Sequence, residues 1–160
     1  MNPGNSLGFF RPAHILRVAR YLTIASSLFL AASTQAQEEV YRARLSPMPT
    51  TPQTVDEILG EGEVLLSLSG TTLSVSGNFQ GLSSGATAAH IHNGPPAQPG
   101  PVIHTLTVTQ ANSGELTGEL TLTDDQVMAL KANSFYIQIH SENNPPGELR
   151  GWVFLLSHFQ

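Results

Sequence analysis

"GEVLLSLSGTTLSVSGNF", residues 62–79, alternates apolar and polar side chains on both sides of a single Gly-Thr pair. A period of two places successive side chains on opposite faces of a strand, and two such runs around a two-residue, glycine-containing turn signal a hairpin. The stretch therefore predicts two antiparallel strands joined at Gly70-Thr71, with Gly70 supplying a positive φ. Leu66, Leu68, Leu73 and Val75 form the predicted buried row.

The same period extends outward. "VYRARLS", residues 40–46, sets Tyr41, Ala43 and Leu45 against Val40, Arg42 and Arg44. "PMPTTPQT" (47–54) reads as a Pro/Thr-rich loop, and Asp56 to Gly62 as a turn or short helical piece. Further strands are predicted at Ala88 to Asn93, Val102 to Val108, Gly114 to Leu122, Phe135 to Ser141 and Glu148 to Leu156, separated by Gly, Pro, Asn and Ser. One helix is predicted in "TDDQVMALKAN". Thr123 at the N-cap and Gln126 three residues on make a capping box, Asp124 and Asp125 sit at the positive end of the dipole, and Lys131 lies near the other. A helix this short depends on packing of Val127 and Leu130. Seven or eight short strands with frequent turns predict an all-β fold: an antiparallel Greek-key β-sandwich or barrel with one short helix.

The 160 residues suffice for one domain with a core of its own. Residues 1–36 read differently. Arg11, Arg17 and Arg20 precede the apolar run "YLTIASSLFLAAS" (21–33), and small residues follow at Thr34 and Ala36. That order is the signature of a signal peptide, cleaved after Ala36, and the run is shorter than the roughly 20 residues that span a bilayer. The expected organisation is a signal peptide over 1–36 and one domain over 37–160, in a periplasmic or secreted protein. From residue 37 on, four basic side chains (Arg42, Arg44, Lys131, Arg150) face twelve acidic ones, a net charge of −8. This balance argues against nucleic acid or anionic lipid as partner, both of which need clustered Lys and Arg, and is compatible with attracting cations. The chain has no cysteine, which excludes disulfides, thiolate metal ligands and cysteine catalysis. No Ser-His-Asp order, phosphate-cradling glycine loop or suitably spaced carboxylate pair assigns a catalytic residue.

"AAHIHNGPPAQPGPVIHTL" (88–106) concentrates three of the six histidines. In a strand His90 and His92 point the same way, with Ala89 and Ile91 on the other side. A Pro/Gly-rich loop leads to His104, and His140 ends "FYIQIH", where Tyr136, Gln138 and His140 oppose Phe135, Ile137 and Ile139. Four histidines from three segments make a nitrogen-only site for copper or zinc conceivable. Taken singly, each also fits a plainer role. His104, in register with Val102, Leu106 and Val108, fits a partly buried histidine bonded to backbone; His90 and His92 fit surface residues beside a turn; His140 fits a cap on the loop "SENNPPGE". His14 lies in the leader and His158 at the C-terminus. Gly94, Gly147 and Gly151 read as turn or bulge positions, and Glu148 with Arg150, at i and i+2, as a pair on an exposed strand face.

The motifs A-H-I-H-x-G, G-P-V, L-T and Y-x-x-x-H-x-x-x-x-P-x-G-E-x-R-G, all present in order between about Val40 and Leu156, closely resemble the chordin-type CHRD domain. That resemblance implies a β-sandwich similar to copper/zinc superoxide dismutase. It implies copper ligands at His90, His92, His104 and His140, with His104 in the place of the bridging histidine and Arg150 resembling the arginine that draws the anionic substrate. The zinc subsite has no evident ligands, since no further His or Asp lies between His92 and His104. The disulfide is absent, and the electrostatic loop is reduced to "SENNPPGE". The resemblance thus implies an exported copper-binding protein; a metal-free structural or interaction module is the alternative, and a dismutase a further one.

Overall fold

The computed structural model of the chain describes residues 38–159. The predicted leader with His14, and the side chain of His158, lie outside the described residues. Eight strands and one helix follow in order: β1 Glu39–Pro47, β2 Glu61–Ser69, β3 Thr72–Gln80, β4 Ala86–Asn93, β5 Val102–Val108, β6 Gly114–Thr121, α1 Asp124–Lys131, β7 Phe135–Ser141 and β8 Leu149–Leu155. Every pairing is antiparallel, and the strands close into a barrel in the order β1-β2-β3-β6-β5-β4-β7-β8, with β8 returning to β1. Closure removes free sheet edges. Among the described residues no helix is long and apolar enough to cross a membrane.

The β2–β3 hairpin forms where the alternation predicts it, with Ser69 opposite Thr72 and Gly70 at φ 61°. Leu66, Leu68, Leu73 and Val75 are all buried, beside Tyr41, Ala43 and Leu45 of β1. A fully buried side chain of this size contributes about 1.5–3 kcal/mol, so these rows account for much of the driving force for closure. The helix carries the complete capping box: the Thr123 hydroxyl accepts from the Gln126 N–H while the Gln126 amide oxygen accepts from the Thr123 N–H. Leu130 is buried, and Val127 packs against the same core.

Several boundaries shift by one or two residues from the sequence expectation, β4 for one beginning at Ala86, and two of the shifts matter. Glu61 and Gly62 belong to β2 rather than to the preceding turn, because the ladder continues to Gln80 and Phe79 of β3; the turn itself is confined to hydrogen bonds of the type Ile58 N–H to Thr54 C=O. Glu148 lies outside β8, and it is not on an exposed face. It is fully buried, and its Oε1 accepts the backbone N–H of Leu59 at 3.1 Å and of Ser83 at 2.7 Å. The expected exposed Glu148/Arg150 pair does not exist, because Glu148 turns inward to ligate two loops and Arg150 instead bonds Gln138. Burial opposes ionisation of Glu148, but hydrogen bonds from Ser141, Ser83 and Leu59 outweigh it and hold the carboxyl below its ordinary range.

Candidate metal centre

Cross-strand partners share a face of the sheet. His90 opposes Gln138, His92 opposes Tyr136 and Ala88 opposes His140 across β4–β7; Gln138 and Tyr136 in turn oppose Arg150 and Trp152 across β7–β8. Ala89 and Ile91 fill the barrel interior, so this set occupies its outer face.

Three histidines meet there. His90, His92 and His140 each offer a ring nitrogen, and these atoms lie within 4.8 Å of one another. His90 Nδ1 is 3.1 Å from His140 Nε2, and the His90 ring stands 6.0 Å from that of His92 between centroids. Backbone carbonyls orient two of the rings. His92 Nδ1 lies 3.0 Å from the Gly100 oxygen and His140 Nδ1 lies 2.8 Å from the Pro145 oxygen. A carbonyl only accepts, so in the neutral rings each Nδ1 carries the proton and each Nε2 keeps a lone pair. His92 is 8 % exposed, and its Nε2 is buried with no hydrogen-bond partner. An orphaned buried acceptor costs free energy unless something binds it.

Burial pulls the His90 imidazole below the usual histidine range, helped by the neighbouring His140 and His92 rings. Burial acts on His92 in the same direction; the Gly100 hydrogen bond opposes it, while His140 and Arg150 add to it. Both rings are therefore neutral near pH 7, the form that donates a lone pair to a cation.

The surroundings fix the cluster. Tyr136, only 1 % exposed, stacks on the His92 ring at 4.6 Å with an interplanar angle of 11°. Its hydroxyl donates to the Gly100 oxygen and accepts the Gly100 N–H, each at 3.1 Å. Gly100 has to be glycine, since a Cβ there would collide with the Asn93 carbonyl. The Arg150 guanidinium lies 4.8 Å from the Tyr136 ring centre, and Gln138 donates to the Pro146 oxygen at 2.7 Å.

His104 stands outside this group. It opposes Ile91, on the interior side, and its Nε2 lies 3.3 Å from the Gln126 Oε1 at the start of α1. His104 keeps the register in which Leu106 opposes Ala89, so it shares the inward face with Leu106 and turns away from His90 and His92. The outer shell of Tyr136, Gly100 and Pro145 was not legible as site-forming. The only signal was that both Pro/Gly-rich loops follow a histidine strand, and such loops offer carbonyls with no strand partner.

A family profile described as CHRD domain matches residues 30–153. No curated protein and no solved structure matches the chain significantly.

Proposed function

The chain belongs to the CHRD-domain family, and from that premise we propose that it is an exported protein that binds one copper ion through His90, His92 and His140. The observation that carries this reading is the buried, unpartnered Nε2 of His92 beside two further imidazole nitrogens. The donor set fits the ion. With no cysteine in the chain, only imidazole nitrogens converge here, and for a given nitrogen site copper(II) stands highest among the divalent first-row metals. Carbonyls of Gly100 and Pro145 on the far side of two rings are the outer-shell arrangement that fixes metal-binding histidines. His104, joined to Gln126, is left out of the proposed ligand set.

Titration of Cu²⁺ into the purified, tag-free protein checks the proposal. The expected result is one ion per chain, with His92→Ala weakening binding by more than the about 10–100-fold that loss of an outer-shell partner costs. Protons compete for the same lone pairs, and burial holds His90 and His92 below the usual histidine range, so affinity is expected to be flat above the ordinary histidine value of about 6.5 and to fall only at lower pH, as these rings take up protons. Less than half an ion per chain, or equal affinity in the variant, contradicts the assignment.

One observation favours the alternative of a metal-free structural or interaction module. His90 and His140 satisfy each other at 3.1 Å without any ion. On that reading replacing His90, His92, His104 and His140 leaves partner binding and export unchanged.

A further inference from the structure

The outer face of the β1–β8 pair carries a second feature. Ala43, Leu45, Gly151 and Val153 are buried, so the alternate positions face outward. Arg42, Arg44 and Ser46 from β1 and Arg150, Trp152 and Phe154 from β8 line a groove of about 410 Å³. That size is in the range of small-molecule sites, about 300–1,000 Å³. Three of the four basic side chains after residue 37 converge here, on a chain segment with twelve acidic ones.

The three guanidinium groups are not equivalent. Arg42 is neutralised by Glu63, with Nε 2.9 Å from the carboxylate. Arg150 is held at 2.9 and 2.6 Å by the amide oxygen of Gln138, a neutral partner that leaves its charge uncompensated. Arg44 is exposed and, among the described residues, makes no ion pair and no side-chain hydrogen bond. The indole of Trp152 lines the same groove, 5.8 Å from the Arg150 guanidinium carbon, and its orientation is fixed by a 3.1 Å bond from Nε1–H to the Gly94 oxygen. A guanidinium fork matches a carboxylate through two parallel hydrogen bonds, and flat aromatic walls favour a flat, apolar body.

We infer that this groove binds a small aromatic carboxylate, its ring against Trp152 and its carboxylate on Arg44 and Arg150. The groove adjoins the histidine cluster through Tyr136, but it needs no metal, and its assignment does not rest on the copper reading.

Trp152 is the only tryptophan of the chain, so its fluorescence reports the groove directly. Benzoate is titrated into the full protein after treatment with a metal chelator, with benzamide and inorganic phosphate in parallel. A saturable change with benzoate is expected, about tenfold or more tighter than with either comparison ligand, because one lacks the charge and the other the ring. Arg44→Gln is expected to weaken benzoate by about tenfold with no change in the thermal melt, since the Arg44 side chain is exposed and makes no hydrogen bond or ion pair among the described residues. Equal binding of benzamide or phosphate, or an unchanged affinity in Arg44→Gln, overturns the inference.

Discussion

Glu148→Ala is expected to lower the unfolding free energy by about 2–4 kcal/mol, because two part-buried backbone N–H groups lose their acceptor and each orphaned donor costs about 1–3 kcal/mol, less where water can reach it. The donors belong to Leu59, in the connection after β1, and Ser83, in the connection after β3, while Glu148 itself ends the connection before β8. One carboxylate thus ties three loops at one end of the barrel. Its backbone adds two more links: its N–H donates to Ile139 and its carbonyl accepts from Met48, each at 2.8 Å. Denaturant unfolding followed by circular dichroism measures the loss. Glu148→Gln keeps one oxygen for the two donors and should cost less; a loss under about 1 kcal/mol in the alanine variant contradicts the clamp. The pH dependence has a fixed sign. The folded-state pKa lies below the ordinary value of 4.5, so the stabilisation is complete above that value and is lost as pH falls through the lower, folded value. The alanine variant should therefore unfold less steeply with acid than the wild type.

Tyr136→Ala is expected to cost about 3–5 kcal/mol of stability and to weaken copper binding by about 10–100-fold, the first from loss of a buried aromatic ring and the second from loss of an outer-shell support. The ring supports both sides of the outer face: it stacks on His92, lies under the Arg150 guanidinium and packs 5.4 Å from Trp152. Its hydroxyl holds Gly100, whose carbonyl orients His92. Tyr136→Phe separates the two contributions. It keeps the stack and most of the stability but releases the Gly100 loop, so copper affinity should fall while the melt moves little. An unchanged affinity in both variants, measured on folded protein, would show that the ring does not position His92.

The alternation in residues 62–79 was enough to predict the hairpin, and the same period located β5 and β7 to the residue. It works because one face of each strand is buried in a single interior, so burial and sequence share the period. The H-x-H spacing and the row Tyr136, Gln138, His140 likewise placed His90, His92 and His140 on outward faces. What brings those faces together is strand order, β4 beside β7, which is a non-local pairing that no spacing encodes. His104 shows the limit: the i, i+2 spacing puts it on the same inward face as Leu106, opposite Ile91, so a place on the strand next to His90 and His92 does not bring it to their face. Glu148 shows another. A charged residue two positions from an arginine reads as surface, and only the arrival of two loop N–H groups from distant segments explains a carboxylate with no exposure.

The most direct measurement is an anomalous difference map, at the copper edge, from crystals of the copper-loaded protein. The copper assignment predicts one peak per chain at about 2 Å from a ring nitrogen of each of His90, His92 and His140. A peak elsewhere, or none beside His92 Nε2, would contradict it.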